Sequence, residues 1–277
     1  MLPPRTIVSK IIAESGGLSQ EEVRLPMANN RPIRMWPGTI VLQCPACSWG
    51  KCVFCGFSND CPTQTRPSTG DFLAQLNSYF KKYGIPEHLE IYNSGSFLDD
   101  GQISPESRIA MFKDLHERGV QSVTIESRPE YIKEKTLAPL IAEFKGDLTV
   151  AIGLEVADDE ILNRLKKGFS LDDVEKALSV LKSLGLSSRA YLLVGAPFIR
   201  DTTTVALDSV KWAQKLGFDE ISLLGAYPMK GSEGYRLWKS GEWSRITVDE
   251  FDRIVVLARE IEPNLDYSSD GLERLRR

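Results

Sequence analysis

Short apolar, β-branched runs alternate along this chain with segments of helical period, and this alternation limits its fold more than any other feature. The apolar runs predict strands at residues 39–44, 89–93, 121–126, 148–154, 189–195 and 219–225. The periodic segments predict helices at 70–83, 105–118, 130–145, 158–185 (broken near Gly168), 202–216 and 247–262, and a short one after residue 230. Apolar strands that are each followed by a helix indicate a parallel sheet with right-handed crossovers.

Two α/β architectures fit these βα units, a doubly wound sheet and a partial TIM-like barrel. The domain boundaries predicted from the pattern are an N-terminal extension at 1–37, a core at 38–230 and a C-terminal helical extension at 231–277. The N-terminal segment is expected to contain a short helix and an extended lead-in. Residues from Asn264 onward are expected to form a loose tail.

Composition excludes some classes of protein. The chain has 277 residues, of which 42% are hydrophobic and 26% charged, as in ordinary soluble globular proteins. No apolar run approaches the roughly 18 residues of a membrane span, so no membrane partner is expected. The net charge of −4 gives no overall basic surface for nucleic acid, although a local basic patch stays open. The first residues lack an apolar signal core, and with reduced thiols this predicts a cytoplasmic protein.

All five cysteines lie between positions 44 and 61, directly after the first predicted strand. They therefore occupy a loop at the carboxyl end of a strand, where α/β proteins place ligands. Exposed free thiols oxidise, so cysteines clustered on a loop indicate a function for their thiolates.

Three interpretations of the cluster compete. An odd number of cysteines and the absence of a signal core argue against a disulfide framework. A zinc site is suggested by the pairs Cys44-x2-Cys47 and Cys52-x2-Cys55, but only four residues separate them, which is cramped for a tetrahedral site. An iron–sulfur cluster is large enough to be held by thiolates close in sequence, and three such ligands leave one iron open. The iron–sulfur interpretation is favoured.

Small and charged residues follow the other predicted strands. They are Asn93-Ser94-Gly95-Ser96, Glu126-Ser127-Arg128, Gly153-Leu154-Glu155 and Gly195-Ala196-Pro197. In a parallel barrel these strand ends open on the same face as the cysteine loop. No Ser-His-Asp constellation, phosphate-binding loop or H-E-x-x-H motif suggests hydrolytic or phosphoryl chemistry.

Over roughly residues 36–245 the chain resembles radical SAM enzymes of the branch that contains the elongator catalytic subunit, the methylthiotransferases and especially the archaeosine synthase radical SAM subunit. The resemblance rests on C-x7-C-x2-C-G-F, Y-N-S-G-S-F, I-E-S-R-P-E-Y-I, I-G-L-E-V-A-D-D-E-I-L-N-R-L-K-K-G-F and A-Y-L-L-V-G-A-P-F, in that order. With it, the fold class expected is α/β, a partial (β/α)6 TIM-like barrel with a parallel sheet and short N- and C-terminal extensions.

The resemblance implies that Cys52 and Cys55 are two ligands of a [4Fe–4S] cluster. The third is Cys44, which leaves the strand directly, or alternatively Cys47, whose Cys-x-Trp is similar to the archaeosine relatives. Cys44 is preferred. Cys61 has no counterpart in the family and is interpreted as a plain thiol.

The resemblance also implies a site for S-adenosylmethionine. The residues expected to bind this cofactor are Phe54, Ser94, Gly95, Ser96, Glu126, Glu155, Lys167, Val194 and Gly195. Ordinary strand-end carboxylates remain the alternative for Glu126 and Glu155, and a solvated helix lysine remains the alternative for Lys167. Candidate substrate contacts, at or just past strand ends, are Arg128, Arg189, Tyr227 and Lys230. Solvated charge is the alternative for at least half of these.

The reaction implied by the resemblance is reductive cleavage of S-adenosylmethionine by the cluster, which yields a 5′-deoxyadenosyl radical that abstracts hydrogen from the substrate. The branch favours a modified nucleoside in tRNA, reached through a partner protein if necessary, with an electron donor such as ferredoxin or flavodoxin. The alternatives are a small-molecule substrate and a zinc-binding, non-catalytic α/β protein.

Overall fold

The computed structural model describes residues 33–61, 65–269 and 272 of the chain. The predicted N-terminal extension, residues 1–37, therefore lies almost entirely outside the described residues. One sheet runs in chain order through eight strands: β1 Arg34–Trp36, β2 Thr39–Val41, β3 His88–Tyr92, β4 Ser122–Glu126, β5 Asp147–Glu155, β6 Ser187–Val194, β7 Glu220–Gly225 and β8 Asp266–Ser268.

The helices follow the strands in alternation. They are α1 Thr69–Tyr83, α2 Pro105–Arg118, α3 Glu134–Glu143, α4 Asp159–Arg164, α5 Leu171–Ser183, α6 Thr202–Leu216, α7 Glu233–Ser240 and α8 Val248–Ile261. Two 3-10 turns are present, Phe57–Asp60 and Pro129–Tyr131.

The order of the strands decides between the two architectures that the sequence left open. From β2 to β8 each strand pairs in parallel with the next, and only β1 is antiparallel to its neighbour. A doubly wound sheet requires a reversal of strand order, and none occurs here within the described residues. The sheet is a curled half-barrel, and the predicted partial barrel is confirmed.

Contacts across the concave side reveal the curl. Arg189 on β6 donates from Nη1 to Oε1 of Glu90 on β3 at 2.9 Å, although two strands separate β3 from β6. Such a contact requires the sheet to bend toward itself. Leu89 and Ile91, the residues on either side of Glu90 in β3, are fully buried in the apolar core on the convex side. Strand alternation thus gives the half-barrel a polar interior and an apolar exterior covered by helices.

Two predictions about the chain need correction. The tail expected from Asn264 onward is not loose throughout, because Asp266–Ser268 pairs with Ser222–Leu224 of β7 and extends the sheet. The helix predicted at 130–145 begins later, at Glu134, after the 3-10 turn.

The break predicted near Gly168 is confirmed. Gly168 has a positive φ of 71°, α4 ends at Arg164, and α5 begins at Leu171. Ser170 caps α5 in a capping box with Asp173, which fixes the start of the new helix. The resulting turn brings Lys167 to the carboxyl edge of the sheet. In the described part of the chain, no helix combines the length and apolar character needed to cross a membrane.

Candidate functional site

The cysteine loop is attached to its surroundings by backbone contacts on both sides. The amide of Val53 donates to the carbonyl of Leu165 at 3.0 Å, and the amide of Gly234 donates to the carbonyl of Val53 at 2.7 Å. A Cβ on Gly56 would lie 2.8 Å from the carbonyl oxygen of Lys230, so only glycine allows this approach. The loop is thus held between the turn after α4 and the start of α7.

Trp49 adds a third attachment. Its indole nitrogen donates to the carbonyl of Lys166 at 2.7 Å, and its ring occupies the space that a side chain on Gly168 would need. The Arg128 guanidinium lies 4.9 Å from the ring centroid of Trp49 and 5.2 Å from that of Phe169. These contacts fix the base of the loop.

The thiols of Cys44, Cys47, Cys52 and Cys55 form no disulfides, and the cysteines fall into two groups. Burial raises the pKa of Cys52, and the nearby charges of Glu155 and Cys47 raise it further, against Lys167 and Arg128. Burial likewise raises the pKa of Cys55 to about 12, with contributions from Cys52 and Cys47. Cys47, Cys52 and Cys55 therefore lie close enough to influence one another.

Cys44 belongs to a different environment. It is fully buried, and its sulfur accepts from the side-chain amides of Asn93 at 3.5 Å and Gln102 at 3.6 Å. Burial raises the pKa of Cys44 to about 11. The backbone amide of Ser94 opposes this rise, and the nearby Cys61 adds to it. The Cys44 side chain is directed from β2 toward the loop that follows β3.

Gln102 is a site residue that the sequence did not reveal. It is fully buried, accepts from the Ser96 amide at 2.8 Å, and donates to the carbonyl of Pro45 at 2.8 Å. A Cβ on Gly95 would lie 2.2 Å from the Gln102 side chain, which explains why glycine is present there. Gln102 thereby fixes the Ser94-Gly95-Ser96 turn. Its position within a loop follows no periodic pattern and carries no sequence signal.

Three predicted cofactor residues converge at Gly153. Its missing side chain leaves room for Glu155, Glu126 and Lys167, whose polar atoms would lie 3.0, 3.4 and 3.6 Å from a Cβ there. The ammonium group of Lys167 donates to Oε1 of Glu155 at 2.8 Å. Glu155 has a positive φ of 69° beside a register shift in β5. Backbone strain of this kind costs about 1–3 kcal/mol and occurs where a side chain must be placed for function.

Glu126 has the most altered charge state of the three. Burial and repulsion from Glu155 raise its pKa to about 7, although Lys167 opposes the shift. The backbone carbonyl of Glu126 accepts from the Phe97 amide at 2.9 Å, and no hydrogen bond to its carboxyl group is found among the described residues. Burial lowers the pKa of Lys167, but Glu155 and Cys52 outweigh this, so its pKa is raised. The cluster therefore combines a fixed cation with a carboxyl group that titrates near neutral pH.

The remaining predicted cofactor residues border the same region. Phe54 lies under the Lys167 ammonium, 5.5 Å from ring centroid to nitrogen. Val194 and Gly195 line a narrow cleft together with Glu155. Gly195 has a positive φ of 80°, and the indole of Trp243 donates to its carbonyl at 3.0 Å.

The four predicted substrate contacts are placed differently from one another. Arg128 is buried and donates from Nη2 to the carbonyl of Lys167 and from Nε to Glu130. Arg189 lies in the barrel interior, where it pairs with Glu90 and Glu220. Lys230 is exposed beside the cysteine loop, and Tyr227 is half-buried after β7. Contact with substrate stays a prediction for all four, and the pairing of Arg189 does not favour it.

The ligand chemistry of the loop distinguishes the metals considered. In the described residues, no three Cys, His, Asp or Glu side chains are placed to hold a single metal ion. A structural zinc site needs four such ligands around one ion. A four-iron cluster is a larger body that takes thiolates from further apart, and Cys47, Cys52 and Cys55, which are partly exposed and near one another, are candidates to hold it.

Comparison with known proteins agrees with this chemistry. Residues 42–207 match the model of the radical SAM superfamily, which is more than half of the chain. The chain is 29% identical over 267 residues to archaeosine synthase subunit beta of Methanosarcina acetivorans, covering 88% of this chain and 77% of that protein. It is 22% identical to a tRNA uridine(34) acetyltransferase of Methanocaldococcus infernus, covering 88% of this chain but 53% of that protein.

Among solved structures, the chain is similar to the archaeal Elp3 of Methanocaldococcus infernus with an N-terminal deletion. The TM-score is 0.58 at 20% identity, over 84% of this chain and 56% of that one. At this identity the likeness establishes the fold. The chain spans about half the length of the acetyltransferase relative and of this Elp3 structure.

Proposed function

The chain belongs to the radical SAM superfamily and is an enzyme of that family, and from this premise we propose that it holds a [4Fe–4S] cluster and cleaves S-adenosylmethionine reductively. The observation that carries the proposal is the grouping of three thiols, Cys47, Cys52 and Cys55, beside the charged cluster at Gly153. When bound, the cluster supplies the electron that breaks the S–C5′ bond, which gives a 5′-deoxyadenosyl radical able to take hydrogen from a substrate.

We infer that Cys47, rather than Cys44, completes the ligand set with Cys52 and Cys55. Cys44 has no exposed surface, and its sulfur already accepts from Asn93 and Gln102. Cys47 is half-exposed on the side of the loop that carries Cys52 and Cys55. Cys44 then has a structural role, because it joins the end of β2 to the loop after β3.

The residues around the thiols favour binding of a metal cluster by reduced cysteines. The raised pKa values keep Cys52 and Cys55 protonated at neutral pH, so cluster assembly would release their protons. Lys167 places a positive charge near Cys52, which stabilises the thiolate form. Arg128 stacks on the Trp49 ring, and this contact helps to hold the loop in place.

The binding site for S-adenosylmethionine is proposed along the same edge. Ser94, Gly95 and Ser96 form a turn held by Gln102 and suited to the methionyl amine. Lys167 offers a cation for the methionyl carboxylate, shared with Glu155. Glu126 has free acceptor capacity for a ribose hydroxyl. Val194 and Gly195, at the end of β6 beside Glu155, are proposed to border the adenine.

The substrate proposed is a nucleoside in tRNA. This rests on the relatives, one an archaeosine synthase subunit and one a tRNA uridine(34) acetyltransferase. A partner subunit that helps to bind tRNA, a one-electron donor such as ferredoxin or flavodoxin, and a cytoplasmic location belong to the same proposal. A small molecule is the second candidate substrate.

The proposal is tested on anaerobically reconstituted protein given dithionite and S-adenosylmethionine, with and without an unmodified tRNA transcript, and assayed for 5′-deoxyadenosine. We expect product that depends on Cys52 and Cys55 and increases with tRNA. A protein that carries one zinc and forms no product with tRNA would contradict the proposal. Product formation that tRNA leaves unchanged would favour a small-molecule substrate.

A further inference from the structure

Three segments border the candidate site on its exposed side, and we call them the rim: residues 49–51, 164–168 and 230–240. They contact one another directly. The Gly234 amide donates to the cysteine loop at Val53, and Lys166 forms an ion pair with Glu233 at 2.5 Å. Trp49 donates to Lys166 as described above. The rim is therefore one continuous surface around the cysteine loop.

The charge of the rim is opposite to that of the whole chain. Its exposed cations are Lys51, Arg164, Lys166, Lys230, Arg236 and Lys239. The single acid in these three segments is Glu233, which is paired with Lys166. The chain as a whole has a net charge of −4. This local excess of positive charge is suited to a polyanion.

Aromatic rings lie beside the cations. Tyr235 and Trp238 are one turn apart on α7, with ring centroids 5.5 Å from each other, and the ammonium of Lys239 lies 4.9 Å from the Trp238 ring. Lys51 lies 4.8 Å from the Trp49 ring. On α7, Arg236 and Lys239 are exposed, whereas Tyr235 and Trp238 are half-buried and Trp238 also packs against the apolar cluster that contains Trp243.

We propose that the rim binds single-stranded or unpaired RNA next to the active site, with α7 as its main contact. This deepens the tRNA substrate of the proposed function and rests on it. Unpaired bases stack on aromatic side chains, and lysine and arginine neutralise the neighbouring phosphates. A protein interface would require an apolar centre, and the large exposed hydrophobic residues, Phe57, Ile85, Val256 and Leu257, all lie outside the rim.

The location gives the contact a purpose in the reaction. The N-terminal residues of α7 touch the backbone of the cysteine loop. A Cβ built on Gly234 would lie 3.4 Å from the Cα of Phe54. RNA held on the outer face of α7 would present one nucleoside toward Lys167 and Glu126. A nucleoside must leave its stack to reach a reactive centre, and an adjacent stacking surface lowers the cost of holding it out.

The test compares wild-type protein with the double variant Arg236→Gln/Lys239→Gln and with Tyr235→Ala, using an unmodified tRNA transcript labelled for fluorescence anisotropy at several salt concentrations. Lys176→Gln and Lys215→Gln, exposed lysines on α5 and α6, are matched controls. Thermal midpoints establish that each variant is folded.

We expect the double variant to bind about tenfold or more weakly near 0.1 M salt, with a salt slope lower by about 1–2, since each lost phosphate contact on a single strand lowers it by roughly 0.7. Tyr235→Ala should weaken binding about tenfold with an unchanged slope, because it removes a stacking surface and no charge. The controls should bind as wild type does. If wild type binds RNA and the α7 variants bind equally well, the inference is wrong and a protein partner becomes the better occupant. If wild type binds no RNA, the rim is not an RNA-binding surface and the inference is wrong, whereas the tRNA substrate is tested separately by the dependence of 5′-deoxyadenosine formation on tRNA.

Discussion

Two layers of polar residues occupy the concave side of the half-barrel and differ in how fully they are paired. The lower layer consists of Glu90, Arg189, Glu220, Tyr92 and Tyr191. Arg189 binds both Glu90 and Glu220, and the hydroxyls of Tyr92 and Tyr191 lie 2.5 Å apart. The second oxygen of Glu90 accepts from Thr39 at 3.4 Å. Each charged group of this layer has its partner within the protein.

The upper layer, at the carboxyl ends of the strands, consists of Glu126, Glu155, Lys167 and the thiols of Cys47, Cys52 and Cys55. Here Lys167 and Glu155 pair, and the buried oxygen Oδ1 of Asn93 has no partner within the described chain. Native proteins satisfy nearly all buried polar groups, so the unpaired Asn93 oxygen is available to a ligand at this edge. The lower layer supports the barrel, and the upper layer is available for chemistry.

Cys52→Ser should separate the two layers most clearly. We expect 5′-deoxyadenosine formation to fall by more than about 100-fold, beyond the 10–100-fold usual for residues that only support metal ligands. The free energy of unfolding of the metal-free protein should fall by no more than about 1–2 kcal/mol, because Cys52 is partly buried and serine is close to cysteine in size. Product assays and urea unfolding measure the two effects. Near-normal activity in this variant would remove Cys52 from the ligand set.

Arg189→Met should have the opposite effect, with a larger loss of stability than of activity. Loss of the guanidinium leaves Glu90 buried without its cation, and breaking such a pair costs about 3–5 kcal/mol. Urea unfolding should show this loss, and Arg189→Met/Glu90→Leu should recover part of it. Lys176→Gln, which breaks an exposed pair with Asp172, should cost less than about 0.5 kcal/mol. A stable Arg189→Met protein that had lost activity would instead support the substrate contact predicted from the sequence.

Glu126→Gln should have a smaller effect that depends on pH. The folded protein raises the pKa of Glu126 from 4.5 to about 7, so the native state binds the proton more tightly than the unfolded chain does. Stability contributed by this group is therefore present below about pH 4.5 and is lost as pH rises toward 7. The difference in unfolding free energy between wild type and variant, measured across this range, should follow that slope. Equal pH dependence in the two proteins would show that Glu126 titrates normally.

The same variant should lower S-adenosylmethionine cleavage by about 10–100-fold if Glu126 binds a cofactor hydroxyl, since a hydrogen bond to a charged group contributes about 1.5–3 kcal/mol. Glu130→Gln provides a control, because this carboxylate pairs with Arg128 but lies on the exposed side. A control that loses as much activity as Glu126→Gln would indicate a general electrostatic effect.

Much of the fold followed from local pattern. Strands such as β5 and β7 are apolar and β-branched, and helices such as α2 and α6 have the predicted bounds, Pro105–Arg118 and Thr202–Leu216. Two short strands had no such signal. β1 and β8 contain three residues each, and their pairing with a neighbour, rather than their own sequence, makes them strands.

The upper layer was predictable because chain order places strand ends on one edge of a parallel sheet. The orientation of individual side chains was not. Arg189 begins a predicted strand, but the register of β6 directs it to Glu90 on β3, three places away in the sheet. Spacing likewise cannot show that Cys44 faces Gln102, because the path of the loop depends on contacts at Gly56 and Gly234 that are distant in sequence.

The most direct test of the account is the iron and sulfide content of two variants, Cys47→Ser and Cys44→Ser, after anaerobic reconstitution. We expect Cys47→Ser to fail to hold a four-iron cluster, whereas Cys44→Ser should assemble about four irons per chain and still respond to S-adenosylmethionine. A full, active cluster in Cys47→Ser, together with its loss in Cys44→Ser, would contradict the ligand set and move the cluster toward Asn93 and Gln102.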